Sequence, residues 1–311
     1  MHLETKFYSA GVPLAATVFV PDHGNERILA REVERFPEDA AIATARYPAI
    51  VLLHGSYRDR NDGLDRFAEV LGSRGFASIR FDIRGHGEHS PTKYRILPGS
   101  EMPYDVFNAI NYLESLPFID RSRIGVAGIS LGGALTVQAA ATDRRVMSAI
   151  PMASPAWSRR DDPRKRWGDR SEMILEMLYE DARLNAATGI SRVINRESLR
   201  AAGSAEASAV GVIDELLFPG NSAYATLESV RDMMNLCPLD YAPEIRCPTL
   251  IMHGACDAAI PPEAAQRLYD AMPGDIRKEV RLYEGVEHNM PRDKQRERVF
   301  EDAAKWFLDT L

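Results

Sequence analysis

The chain has 311 residues, 45% of them hydrophobic and 27% charged, with a formal net charge of −7. That length suits one large α/β domain with an insertion, and the acidic balance argues against binding to nucleic acid or to an anionic membrane surface. No apolar run approaches the roughly 20 residues of a membrane span, and Cys237, Cys247 and Cys256 contain no C-x-x-C pair, which argues against a zinc site or a disulfide framework.

The N-terminus MHLETKFYSAG lacks a basic-then-apolar signal pattern, so a reducing cytoplasm is the expected compartment. Leu14 to Val20 (LAATVFV) reads as an early strand ended by Pro21. Residues 22–46 are polar, long for a connection, and have room for a short helix. Pro48 to Leu53 (PAIVLL) is a buried strand that ends in His54-Gly55-Ser56. If it lies beside the strand before Ser130, the backbone N–H of Ser56 becomes a candidate oxyanion donor. His54 is read as structural.

Asp65 to Ser73 follows as an amphipathic helix, closed by Arg74-Gly75, and Phe76 to Phe81 as a strand. The strand runs into a polar turn, Asp82 to Gly87 (DIRGHG). His86 and His89 near it are weighed as bases and read as turn residues. Pro103 to Leu116 carries Val106, Ile110 and Leu113, with Phe107 and Leu116 alongside, a helical stripe facing a sheet. Asp105 near its start suits the helix dipole.

The stretch Arg123 to Ala141, RIGVAGISLGGALTVQAAA, holds the chemistry. A short apolar strand, Ile124 to Ala127, meets a small-residue helix through Gly128-Ile129-Ser130-Leu131-Gly132, which fits G-x-S-x-G. Such a junction forces a sharp turn with a strained apex, and its glycines let neighbouring backbone pass close by. Ser130 would stand at the strand's C-terminal edge, with the N–H of Leu131 and the helix N-terminus facing any developing negative charge. Val146 to Met152 is the next strand, so the alternation demands a mostly parallel sheet covered on both faces.

The alternation breaks near Ser154. Residues 155–238 read as a helical cap inserted into a core of 1–154 and 239–311. The insert opens on a mostly basic run, Ser158 to Trp167, read as a solvated loop. Helical patterns follow at Glu172 to Leu184 (Met173, Ile174, Met177, Leu178), Ala209 to Phe218 (Val212, Ile213, Leu216, Leu217) and Ser222 to Leu236 (Tyr224, Leu227, Val230, Met234), with no clear strand. Such a cap would roof a site and hold the non-reacting part of a substrate.

Pro248 to His253 resumes the strands, and its loop carries Asp257. Pro261-Pro262-Glu263 starts a helix reaching about Met272. Val280 to Tyr283 is the last strand, its loop carries His288, and Arg296 to Leu311 closes the chain as an amphipathic helix. Loops leaving the C-terminal ends of parallel strands crowd one edge. Ser130, Asp257 and His288 therefore meet there in the order Ser, Asp, His expected behind a nucleophile elbow. His2 and His23 lie far from that edge, and His253 packs by the acid's turn. The loop from Ala153 offers no nearby carboxylate, and Glu287 should point away.

GISLG at Gly128 to Gly132, His54-Gly55-Ser56, DIRGHG at Asp82 to Gly87, Gly254 to Asp257 and Glu287-His288 together make the chain resemble the α/β-hydrolase family. The sub-pattern looks like bacterial esterases related to the serine aminopeptidase and dienelactone-hydrolase-like groups, which carry DxRGHG and a helical lid at this place. The resemblance implies an α/β-hydrolase fold with a helical cap. It also implies a Ser130/Asp257/His288 triad, an oxyanion hole from the backbone N–H groups of Ser56 and Leu131, and no cofactor or metal. The expected activity is hydrolysis of a carboxylic ester through an acyl-enzyme. A peptidase, a thioesterase, an acyltransferase and a non-catalytic binding protein are the alternatives. The expected partner is a small acyl substrate under the cap, and a homodimer is an open option.

Overall fold

The computed structural model describes residues 1–21, 46–56, 58–87, 97, 99–162, 171–194 and 225–311. Ten strands occur among them: β1 (His2–Ser9), β2 (Val12–Phe19), β3 (Tyr47–Leu53), β4 (Ala77–Phe81), β5 (Ile119–Ile129), β6 (Val146–Met152), β7 (Val193–Ile194), β8 (Ala225–Thr226), β9 (Thr249–Gly254) and β10 (Lys278–Tyr283). Eight form one sheet in the order β1-β2-β4-β3-β5-β6-β9-β10. The ladders from β4 through β10 are parallel, and β2 alone runs against the rest. The inner strands β3 and β9, and β5 from Ile124 on, read as continuous apolar runs because both of their faces are covered, whereas β5 starts earlier than expected, at Ile119, through the exposed Arg121 and Ser122.

β1 is an addition to the sequence reading. Its residues HLETKFYS alternate, and mostly expose, their side chains. The edge strand buries Phe7, which meets Phe81 edge-on with ring centroids 5.1 Å apart. The two-residue turn at Ala10-Gly11, with φ of 48° and 81°, closes the β1–β2 hairpin in the left-handed region that such turns use.

Helices cover both faces. On one lie α1 (Leu64–Ser73) and, at the chain end, α7 (Arg296–Thr310). They meet through Phe67 and Phe300, stacked at 4.6 Å. On the other face lie α2 (Met102–Ser115), α3 (Leu131–Thr142) and α6 (Glu263–Ala271). Ten of the twelve residues of α3 are buried, which is why it is apolar all round rather than striped. Phe107 and Met173 are exposed instead of lying on a buried stripe.

The insert supplies α4 (Ser171–Thr188) and α5 (Leu227–Met233). They pack Ile174, Met177, Leu178, Leu227 and Val230 into a small core of their own. The helix read from Ser222 begins only at Leu227, because the Thr226 hydroxyl accepts the Ser229 N–H at 3.1 Å and caps it. Residues 193–194 and 225–226 pair as a short antiparallel ladder where no strand was expected. Asp232 of α5 accepts the N–H groups of Gly99 at 2.8 Å and Ser100 at 3.2 Å, tying the insert to the loop before α2. The helix expected at 209–218, the short helix within 22–46, much of the basic run, Tyr224, His23 and His89 lie outside the described residues. Among the described residues no helix is long and apolar enough to cross a membrane.

Candidate active site

The register of the central sheet brings five strand ends to one edge. Leu53 pairs with Gly128, Ile129 with Met152, Met152 with Met252, and His253 with Leu282. The loops that leave β3, β5, β6, β9 and β10 therefore start side by side.

Ser130 is the first residue past β5 and precedes α3. Its φ of 56° and ψ of −113° place a non-glycine residue in strained backbone space. Two bonds over-determine that conformation: its N–H donates to Met152 O at 2.9 Å, and its carbonyl accepts Ala134 N–H at 3.0 Å. Backbone crowds the elbow from every side. A Cβ on Gly128 would lie 2.4 Å from Gly132 O, and one on Gly132 would lie 2.4 Å from Leu53 O. Glycine is required at both positions for close approach.

The β3 loop reaches the same place. A Cβ on Gly55 would stand 3.5 Å from Ser130 Cβ, so the turn carrying Ser56 passes directly beside the serine. His54 is buried and structural. Its Nε2 accepts the Ile83 N–H at 3.0 Å, so Nδ1 carries the proton and donates to Gly55 O at 2.7 Å. Burial pushes the His54 imidazole down to about 4. His86 packs edge-on against it at 4.9 Å, and its Nδ1 donates to Ile83 O and Arg84 O. Burial, followed by the neighbouring His54, pushes His86 down to about 3. Neither ring is available as a base at this edge.

Asp257 and His288 are joined. His288 Nδ1 lies 2.7 Å from Asp257 Oδ2, with Asp257 buried and His288 partly open. A carboxylate facing Nδ1 makes that nitrogen the donor and leaves Nε2 with a lone pair. Asp257 Oδ1 accepts the N–H groups of Ala259 at 2.9 Å and Ile260 at 2.8 Å. Burial opposes the Asp257 charge, but hydrogen bonds from His253 and His288 outweigh it and hold the carboxyl well below the usual carboxylate range.

The loops that carry Asp257 and His288 are joined by backbone hydrogen bonds. Ala255 N–H donates to Tyr283 O and Cys256 N–H to Val286 O, both at 2.9 Å. A Cβ on Gly254 would fall 2.4 Å from Val286 O. The loop after His288 is also seated on the β3 loop, since a Cβ on Gly63 would meet Pro291 O at 2.6 Å. Glu287 is exposed, and His2 sits on the far edge strand, bonded to Arg80.

Asp105 has a larger part than a dipole partner. It is fully buried and pairs with Arg84 of the DIRGHG turn, whose Nη2 lies 2.6 Å from Asp105 Oδ1 and 3.0 Å from Ser9 Oγ. That pair fastens α2 and the edge strand to the turn beside His54. Twenty-one residues separate the partners, so no local pattern announces it. Among the described residues no cluster of three or more His, Cys, Asp or Glu side chains is placed to hold a metal ion.

Comparison with known proteins agrees with this architecture. Residues 45–295 match the family model described as serine aminopeptidase, S33. An uncharacterised 31.7 kDa protein of the traX-finO intergenic region of Escherichia coli is 27% identical over 280 residues, which are 86% of this chain and 92% of that protein. The thiohydrolase aneE of Aspergillus aculeatus is 26% identical over 160 residues, 50% of this chain and 46% of its own. The solved α/β hydrolase GrgF from Penicillium superposes with a TM-score of 0.73 at 18% identity, covering 100% of this chain and 99% of its own. The parallel sheet with helices on both faces is the α/β-hydrolase fold, and the chain belongs to the serine aminopeptidase S33 family of α/β hydrolases.

Proposed function

We propose that the chain is a serine hydrolase of carboxylic esters in which Ser130 is the nucleophile, His288 the base and Asp257 the carboxylate that orients it. The observation that carries this reading is the 2.7 Å contact between His288 Nδ1 and Asp257, made at the sheet edge that also bears the strained Ser130. With Nδ1–H committed to Asp257, the His288 Nε2 lone pair takes the Ser130 proton as Oγ attacks the acyl carbon. The carbonyl π electrons move onto oxygen, and the backbone N–H groups of Leu131 and Ser56 receive that charge. One oxyanion donor of this kind contributes roughly 3 kcal/mol to lowering the barrier. The imidazolium returns its proton to the leaving alkoxide. Water, deprotonated by His288, then attacks the acyl-enzyme and releases the acid and Ser130. In this reading residues 155–238 form a cap over the edge and hold the acyl group.

The test is turnover of a short p-nitrophenyl ester. Ser130→Ala should abolish it with the circular dichroism spectrum unchanged. Activity undiminished in that variant refutes the assignment. A thioester substrate is the second reading, favoured by the name of the Aspergillus relative. Partitioning a labelled acyl-enzyme between water, amines, alcohols and thiols separates hydrolysis from acyl transfer, and parallel ester and thioester panels separate the two leaving groups.

A further inference from the structure

Asp257 faces two imidazoles, and the mechanism uses only one. The second is His253, at the C-terminal end of β9, where it pairs in register with Leu282 of β10. Its side chain is fully buried. Its Nε2 lies 3.2 Å from Asp257 Oδ2, the oxygen that also meets His288, and 3.0 Å from the carbonyl of Ile260. Both neighbours of Nε2 are acceptors, so Nε2 bears the hydrogen. The other nitrogen, Nδ1, is buried without a hydrogen-bond partner. A ring that leaves one nitrogen unsatisfied in order to point the other at these two oxygens accepts a desolvation cost to make that contact.

We propose that His253 is a positioning residue that sets the aim of Asp257 on His288. This inference rests on the triad reading above. A carboxylate has about four lone-pair sites. Here Oδ1 takes two backbone N–H groups, and Oδ2 takes His288 with His253 Nε2 abutting it at 3.2 Å. The backbone donors, Ala259 and Ile260, sit in a loop, whereas His253 is mounted on a central parallel strand. Its Nε2–H is bonded to the Ile260 carbonyl and stands 3.2 Å from the carboxylate, so one strand-borne group abuts both the acid and the loop that holds it. Without that donor, Oδ2 keeps only the partly open His288, and the carboxyl plane is free to turn about the Cβ–Cγ bond.

The experiment compares the wild type with His253→Phe, His253→Gln and His253→Asn. Two readouts are taken: kcat and KM for ester turnover, and the rate at which a fluorophosphonate labels Ser130, which needs no natural substrate. Phenylalanine keeps the planar ring and removes the donor. The Gln amide reaches about as far as Nε2, and the shorter Asn amide does not. His253→Phe and His253→Asn should lose on the order of 10- to 100-fold in kcat and in labelling rate, as other supports of a reacting group do. KM should be unchanged. His253→Gln should recover most of the rate. If His253→Phe does not fold, the Gln and Asn pair decides. Equal rates for those two variants, or a folded His253→Phe with wild-type kcat, overturn the proposal. A wild type that the fluorophosphonate does not label ends the triad reading itself and this inference with it. A labelled wild type whose Asn variant matches it ends this inference alone.

Discussion

Replacing Gly132 with alanine would put a methyl carbon 2.4 Å from the carbonyl oxygen of Leu53 and 2.7 Å from that of His54. Ordinary carbon–oxygen approach is about 3.3–3.6 Å, so the first turn of α3 must withdraw by roughly 1 Å. Neither obstacle is a side chain that can swing away. Both are backbone atoms at the end of a central strand, where β3 pairs with β4 on one side and β5 on the other. Overpacking of this kind costs about 1–3 kcal/mol. In a chain of this size that lowers Tm by roughly 2 °C per kcal/mol. The larger effect falls on catalysis. The turn that retreats carries Ser130 and Leu131, and the carbonyls that repel it lead into Gly55 and Ser56. Ser130, the proposed nucleophile, and the Leu131 N–H therefore withdraw together from the Ser56 N–H, and a 1 Å misplacement costs on the order of 100-fold in rate. Urea denaturation gives the first quantity, and kcat on a short p-nitrophenyl ester gives the second. Gly274→Ala is the control, because a Cβ there meets nothing within 4 Å and its backbone is not left-handed. A Gly132→Ala protein with the wild-type urea midpoint and wild-type kcat would refute this account of the elbow.

The strain at Ser130 should be measurable by itself. Ser130→Gly relieves the φ of 56° that Ser130→Ala retains, so the glycine variant should be the more stable by about 1 kcal/mol in urea denaturation, with both inactive. Equal stabilities would mean that the conformation costs nothing. The buried histidines predict a pH dependence. His54 and His86 stay neutral in the folded state down to about 4 and about 3, while the unfolded chain protonates them below 6.5. The unfolded state thus binds more protons in that window. Stability is full above pH 6.5 and falls as pH drops toward 4, by up to about 1.4 kcal/mol per pH unit for each ring. Urea midpoints at pH 7, 6 and 5 measure the slope, and His86→Gln should remove its share. A variant with an undiminished slope would count against burial of a neutral ring.

Much of the core was legible from local pattern. β3, β6 and β9 are apolar runs bounded by polar turns, and α1, α2, α6 and α7 begin and end within about two residues of where their periodicity and punctuation place them, whereas β5 extends back from the apolar Ile124–Ala127 through polar, exposed residues to Ile119. The G-x-S-x-G stretch announced a strand, a turn and a helix, and the chain order of Asp257 and His288 after it pointed to a shared edge. β1 escaped because an edge strand with one face in solvent reads as a polar segment, with Phe7 its one deeply buried large side chain. The short β7–β8 pair escaped because two residues carry no periodicity.

What the sequence by itself determined is the grammar of the chain: which segments are buried on both faces, where the alternation breaks, and which residue types can supply a hydroxyl, an imidazole and a carboxylate. Contacts between segments were left to the tertiary structure. Register set Leu53 against Gly128 and His253 against Leu282, and only that alignment brings His288 to Asp257 and seats the Gly55 turn against Ser130. The burial of Asp105 beside Arg84 and the second imidazole on Asp257 belong to the same class. The physical reason is that periodicity reports how one element meets its environment. A hydrogen bond between loops depends on where two elements end relative to each other, and the packing of the whole sheet fixes that.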